Sequence, residues 1–181
     1  MLQSEFSDIG LRLVREGLVS GNFGNLSVRV ENGMYITSGG SFLDEAGDPV
    51  FVPISGPVPD RASSEYRVHL EVYGASSHMA CVHAHPPFSV AASFVFDRIE
   101  PLDSEGSTLC PLVPVVEGPP GTKKLAHAVA EGISSSPVVI ARGHGTFAFG
   151  KTLREALLLT SAVEHACKIL YYLGEFGGFA R

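Results

Sequence analysis

Between residues 26 and 75 the hydrophobic period of the chain changes from two to about 3.6, and that change constrains the fold most. "LSVRV" and "MYITSG" alternate apolar and polar residues and are joined by "ENG", whose Asn32-Gly33 pair predicts a hairpin turn. A third short strand, "PVFVPIS", follows the turn "DEAGD". "GPVPDRASSEYRVHLEVYGASS" then carries helical spacing, with Ser63 or Ser64 placed to cap its first turn and Glu65 and His69 sharing a face at i and i+4. Upstream, Phe6, Ile9, Leu13 and Val14 recur at three and four, the mark of an amphipathic helix that stops at "SGNFGN".

The rest of the chain continues the mixture. "MACVHAH" predicts a strand ending at Pro86-Pro87, and "FSVAASFVF" a short helix. "DRIEPLDSEGSTLC" reads as a polar loop, "PLVPVV" as a strand and "TKKLAHAVAEGI" as a helix. "PVVIARGHGTFAFG" predicts two strands broken at Gly143-His144-Gly145, and Thr152 with Glu155 stands in capping-box spacing at the start of a last helix. Hairpins mixed with crossovers predict an α/β fold: a central, mainly antiparallel sheet flanked by helices. At 181 residues the chain is expected to form one domain over 1–181, since it is too short for two good cores.

Thirteen basic against 19 acidic residues, a net charge of −6, argue against broad binding to nucleic acid or an anionic membrane. A small anion remains admissible, because backbone N–H groups and hydroxyls can hold one phosphate. Cys81, Cys110 and Cys167 are odd in number, far apart and in apolar contexts, so they read as small buried hydrophobes. The charged, amphipathic N-terminus lacks a signal-peptide core, and no apolar run approaches the ~20 residues of a membrane span, so a soluble, cytoplasmic protein is expected.

His83 and His85 stand two apart at the end of a predicted strand, so both project from one face and can meet one metal ion. His144, between two glycines in a second apolar-strand context, is the natural third ligand, because its flanks let the backbone turn and aim the ring inward. Three histidines are the usual protein contribution to a catalytic zinc site with an open position. The competing reading is that His83 and His85 only hydrogen-bond within the core. His69, His78, His127 and His165 fall on predicted helices and read as structural or solvated. Glu65 is either a helix-start carboxylate favoured by the dipole or a metal ligand and base. "SGNFGN", "TSGG" and Ser63-Ser64 are three donor-rich stretches that together suggest one anion cradle, with Asn25 beside the first.

"GNFGNLSVRV", "YITSGG", "SSEYRVHLEVY", "CVHAHPP" and "ARGHGTFAFGKTLREALLLTSAVEHACKIL" follow one another in the order and rough spacing of the class II aldolase/adducin-head family. The chain resembles that family from about residue 4 to 173, most specifically in the joint S-S-E, H-x-H and G-H-G pattern, and within it the small zinc-dependent fuculose-phosphate aldolases. The resemblance implies a three-layer fold, a homotetramer with sites at subunit boundaries, and cleavage of a ketose 1-phosphate to dihydroxyacetone phosphate and an aldehyde through an enediolate. It implies Zn2+ on His83, His85 and His144, with Glu65 as fourth ligand and base, and a phosphate cradle from Gly24, Asn25, Gly40, Ser63 and Ser64. Lys123, Lys124, Lys151 and Lys168 look like surface residues, so no Schiff-base lysine is expected.

The chain departs from that family in three places. Gly39 stands where the bacterial fuculose enzymes have a cradle threonine, and the segment "IEPLDSEGSTLCP" lacks their proton-donating tyrosine, leaving Asp103, Glu105, Tyr171 or Tyr172 as substitutes. The tail after the last helix is also short. Two alternatives follow: a sugar-phosphate dehydratase or epimerase, of the methylthioribulose-phosphate or pentulose-phosphate type, on the same scaffold, or a non-catalytic adducin-like assembly module.

Overall fold

A computed structural model describes residues 2–45 and 47–175; Met1, Ala46 and residues 176–181 of the expected domain lie outside the described residues. In chain order the elements are helix α1 (Leu2–Arg15), strands β1 (Asn25–Val30), β2 (Gly33–Ile36) and β3 (Val50–Pro53), helix α2 (Tyr66–Ala75), strand β4 (Ala80–Ala84) and helix α3 (Pro87–Ser93). Strand β5 (Arg98–Ile99), helix α4 (Ser104–Leu109), strand β6 (Val113–Val116), helix α5 (Lys123–Ile133), strands β7 (Val138–Ala141) and β8 (Gly145–Gly150) and helix α6 (Leu153–Glu175) complete it. The strands form one eight-stranded sheet in the order β3-β2-β1-β4-β8-β7-β6-β5. Only β6 and β7 pair in parallel, joined by the α5 crossover; the other neighbours are antiparallel.

Strand alternation divides the core into two layers. Ala80, Val82 and Ala84 of β4 face a cluster with Phe6, Ile9 and Leu13 of α1 and Leu153, Ala156 and Val163 of α6. Cys81 of β4, with Phe147 and Phe149 of β8, faces the opposite cluster, built with Val68 and Val72 of α2 and Leu125 and Val129 of α5. Each fully buried Val, Leu, Ile or Phe among these contributes about 1.5–3 kcal/mol through removal from water. His83 has the parity of Cys81, so it projects from the face that α2 and α5 cover.

Four local expectations are corrected. Val30 pairs with Gly33, so Glu31 and Asn32 form the hairpin loop and Gly33 already belongs to β2. Packing selects that register: a Cβ on Gly33 would lie 2.2 Å from the Val52 carbonyl oxygen on β3. Neither Ser63 nor Ser64 caps α2; Glu65 occupies the cap position without a capping side-chain bond, because its carboxylate is engaged elsewhere. The polar segment 97–110 holds strand β5 and helix α4, whose N-cap Asp103 accepts from the Gly106 N–H at 2.8 Å; the sequence of α4 is too short and polar to show a helical period. His78 lies in the connection between α2 and β4, since α2 ends at Ala75. All three cysteines are free and buried, and no helix among the described residues is long and apolar enough to cross a membrane.

Candidate metal centre

Antiparallel order brings five loops to one end of the sheet. The start of β1 lies beside the end of β4, with Asn25 paired to His83, and the start of β8 lies on the other side of β4, with Thr146 paired to Ala84. The chain leaving β2 meets the entry to α2, where the Ser63 N–H donates to the Thr37 carbonyl and Ser38 bridges to Ala62. Residues 18–25, 37–40, 63–65, 85 and 143–144 therefore converge although they span most of the sequence.

His83 is fully inside the protein, and His85 and His144 are half-buried. Their ring centroids lie 4.8 to 4.9 Å apart in all three pairings, and the Nε2 atoms of His83 and His85 are 3.0 Å apart. The Nδ1 of His83 lies 2.9 Å from the Thr146 carbonyl oxygen; a carbonyl can only accept, so Nδ1 carries the proton and Nε2 presents a lone pair to the space between the rings. Burial lowers the pKa of all three rings, to about 4 for His85, with the neighbouring rings reinforcing the shift at His83 and His85. One ligand atom from each ring lies within 4.8 Å of the others, so neutral imidazoles converge on a point where a metal ion can be held.

His144 sits in the β7–β8 turn, closed by its N–H to the Ala141 carbonyl at 3.0 Å. Gly143 has φ +66°, the left-handed conformation expected from its sequence context, whereas Gly145 is required for space: a Cβ there would lie 2.2 Å from the Ala84 carbonyl oxygen. Arg142 clamps this turn from behind, reaching Asp97 at 2.7 Å, Glu117 at 2.8 Å and the Ser93 carbonyl, while the Gly143 N–H donates to Ser93 Oγ at 2.9 Å.

Glu65 is buried, with Oε1 3.9 Å from His144 Nε2 and 2.9 Å from the Gly121 N–H that donates to it. Desolvation raises its pKa, opposed by the Gly121 hydrogen bond and then by Arg67. Its Oε2 has no partner, and neither do the buried Asn25 Oδ1 and His144 Nδ1. An unpaired buried polar atom costs about 1–3 kcal/mol, and three around one histidine cluster mark a place built for an additional group. The donor set suits a divalent transition metal.

The anticipated cradle residues surround this point unevenly. Gly24, at φ +79°, lies against β4 so closely that a Cβ would come within 2.6 Å of the His83 carbonyl oxygen. Gly40, at φ +76°, is exposed beside Asn22, and Gly39 donates its N–H to the Arg61 carbonyl at 2.8 Å. Ser63 is buried and its Oγ accepts the Glu65 N–H at 3.4 Å, whereas Ser64 is exposed beside Gly121.

Other sequence candidates separate from the site. His69, one turn after Glu65, does not share its surroundings: its Nδ1 lies 2.6 Å from Ser27 Oγ and its ring packs edge-on against Phe147 and Phe149. Asp103 serves α4, Glu105 is exposed and bonded to Ser104, and Tyr171 and Tyr172 pack with Phe88 and each other. Lys123, Lys124, Lys151 and Lys168 are exposed. Sequence reasoning missed three contributors. The Thr146 carbonyl and Gly121 N–H are backbone groups with no residue signature, although "GPPG" does mark the tight turn that presents Gly121. Phe23, stacked on His85 with centroids 5.3 Å apart, sits in the middle of "SGNFGN", where attention falls on the glycines.

The chain is similar to several known proteins. The structure is similar to a crystal structure of L-fuculose-1-phosphate aldolase from Thermus thermophilus, with TM-score 0.95 and 37% identity over 99% of this chain and 97% of that one. In sequence it is 32% identical over 178 residues to an L-fuculose phosphate aldolase of Methanococcus vannielii, covering 95% of this chain and 97% of the relative. A 5-methylthioribulose-1-phosphate/5-deoxyribulose-1-phosphate aldolase of Escherichia coli is 30% identical over 164 residues, covering 82% of this chain and 73% of the relative. Residues 4–171 match the family of class II aldolase and adducin N-terminal domains, and the chain belongs to that family.

Proposed function

We propose that the protein is a metal-dependent aldolase that cleaves a ketose 1-phosphate, fuculose 1-phosphate or a related deoxypentulose phosphate, into dihydroxyacetone phosphate and an aldehyde. The observation that carries this reading is the meeting of His83, His85 and His144 within 4.8 Å beside the buried, half-satisfied carboxylate of Glu65. The three histidines and Glu65 would hold Zn2+ in the resting site. When bound, the ion supplies positive charge next to the substrate oxygens on which negative charge develops as the carbon–carbon bond breaks. The names of the similar aldolases support a ketose phosphate as substrate, and a homotetramer belongs to the same reading.

Glu65 is suited to move the proton. Burial makes its carboxylate more basic than an exposed one, and the Gly121 N–H anchors Oε1 while Oε2 stays free. On cleavage the hydroxyl of the carbon that becomes the aldehyde gives its proton to solvent, the bonding pair stays with the triose carbon, and that carbon takes up a proton that Glu65 relays from solvent, leaving the carboxylate as it began. Gly24, Asn25, Gly40, Ser63 and Ser64 form the phosphate cradle, in which the donors to the anion are backbone N–H groups, the Asn25 side-chain NH2 and the serine hydroxyls. Gly39 offers backbone but no hydroxyl.

The experiment is elemental analysis of the purified protein together with release of dihydroxyacetone phosphate from a panel of ketose 1-phosphates, with and without chelator. Stoichiometric zinc, chelator-sensitive release, and a Glu65→Gln variant that keeps the metal but loses about 10²–10⁴-fold in turnover are expected. Bound metal with a dehydrated ketone or an epimer as product would transfer the site to the dehydratase or epimerase reading. Absence of metal from protein supplied with it would favour an assembly module.

A further inference from the structure

His83 and His85 are held by different means. His83 has a hydrogen-bonded outer partner, the Thr146 carbonyl 2.9 Å from its Nδ1. Among the described residues His85 has no such partner; its polar ring contact is with His83 itself. It also stands one residue beyond the end of β4, tied by its backbone N–H to the Leu18 carbonyl at 3.0 Å, so strand pairing does not orient its side chain. Packing must set the ring plane.

Two surfaces supply that packing. On one side is Gly145, where a Cβ would come within 2.9 Å of His85 Cδ2. On the other is Phe23, parallel to the imidazole within 11° at a centroid distance of 5.3 Å, an offset stack. Phe23 is 51% exposed, and its one ring contact among the described residues is this stack. Its loop is shaped for this placement: Gly21 and Gly24 take φ +57° and +79°, and the Phe23 N–H donates to the Ser20 carbonyl at 3.3 Å.

We propose that Phe23 is the positioning residue for His85, doing by stacking what the Thr146 carbonyl does for His83 by hydrogen bonding; this rests on the metal-centre reading above. The stack also discriminates between empty and loaded sites. An imidazole that donates its lone pair to a dication becomes electron-poor, and an electron-poor ring is attracted more strongly to the π-face of a phenylalanine. An interaction stronger in the bound form raises metal affinity by linkage. Because Phe23 immediately precedes Gly24 and Asn25, the same loop joins the anion cradle to the metal ring.

The test is zinc affinity measured by competition with a chromogenic chelator, for the wild type and Phe23→Ala, Phe23→Leu and Phe23→Tyr, with the melting temperature of each metal-free protein. Phe23→Ala is expected to weaken zinc binding roughly two- to tenfold, the range a lost aromatic pair produces, with the metal-free melting temperature unchanged because the ring is half-exposed. Phe23→Tyr should restore affinity. Phe23→Leu, which keeps apolar bulk but cannot stack, should not, and this pair decides the matter even if Phe23→Ala lowers the metal-free melting temperature. Affinity equal to wild type in Phe23→Ala and Phe23→Leu would overturn the proposal while leaving the metal centre standing. A wild-type protein that binds no zinc would overturn the metal reading itself, and this proposal with it.

Discussion

Two desolvated polar clusters lie against the same face of the sheet, and they differ in whether their atoms are satisfied. In the first, Ser27 Oγ sits 2.6 Å from His69 Nδ1 and 2.7 Å from Tyr73 OH, and the tyrosine hydroxyl also reaches the Ser27 carbonyl at 3.2 Å. None of these buried polar atoms is left without a partner. In the second, at the end of β4, three neutral imidazoles face one another and three neighbouring buried atoms have no partner. A closed network locks helix α2 to β1, whereas an open one has spare coordination for something the chain does not itself supply. Burial alone therefore does not distinguish a structural histidine from a functional one; satisfaction does.

Breaking the open cluster should give the largest effect. His144→Ala is expected to reduce zinc affinity by more than the roughly 10–100-fold that loss of an outer-shell partner costs, and to abolish aldol cleavage. The metal-free protein should melt at nearly the wild-type temperature, because the packing lost with the ring is offset by removal of a buried nitrogen without a partner. Chelator competition beside thermal unfolding checks both halves; full zinc retention would make the cluster a packing feature.

The closed cluster should respond in the opposite sense. His69→Ala removes a fully buried ring from between Phe147 and Phe149, takes one partner from Ser27 Oγ and leaves a cavity beside the remaining Ser27–Tyr73 pair, so a loss of about 2–4 kcal/mol is expected with zinc affinity per folded molecule unchanged. Urea unfolding, with metal titration of the folded fraction, measures it. An unchanged stability would show that the network contributes no more than water does.

A smaller, graded effect concerns acid. Burial depresses the His69 pKa from 6.5 to about 3, so the folded state holds the ring neutral while the unfolded chain takes up a proton below 6.5. The stability this contributes is complete above pH 6.5 and is lost as the pH falls from 6.5 toward 3, at about 1.4 kcal/mol per pH unit. Unfolding free energies of the metal-free wild type and His69→Gln between about pH 7 and 4.5 should follow different slopes, with the shallower slope in the variant. Parallel slopes would place the titration elsewhere.

Much of the open cluster was legible in the sequence because its ligands are side chains with distinctive chemistry. Two histidines at strand spacing before Pro86-Pro87, and a third between glycines, announce themselves. Glu65 was legible as a carboxylate but not as distinct in surroundings from His69, because helical spacing gives a common face and cannot say that the chain enters the helix at Tyr66 with Glu65 turned away. The closed cluster was nearly invisible: Ser27 and Tyr73 are ordinary residues of a strand and a helix 46 positions apart. Helix α4 escaped because six residues with a single apolar side chain, Leu109, carry no hydrophobic period, and the hairpin loop shifted by one because Gly33 serves packing against Val52 and not the turn.

By itself the sequence determined the alternation of strands and helices, the face from which His83 projects and the identity of the candidate ligands. These follow from local periodicity and from side-chain chemistry, which each residue carries wherever it lies. Only the tertiary structure decided which atoms Glu65 and His69 meet, His144 and Gly121 for the one and Ser27 for the other, that the Thr146 carbonyl orients His83, and that Phe23 covers His85. Backbone donors and acceptors are the same at every residue, and a stacking partner has no required spacing, so such contacts exist only once the antiparallel order has brought distant loops to one end of the sheet.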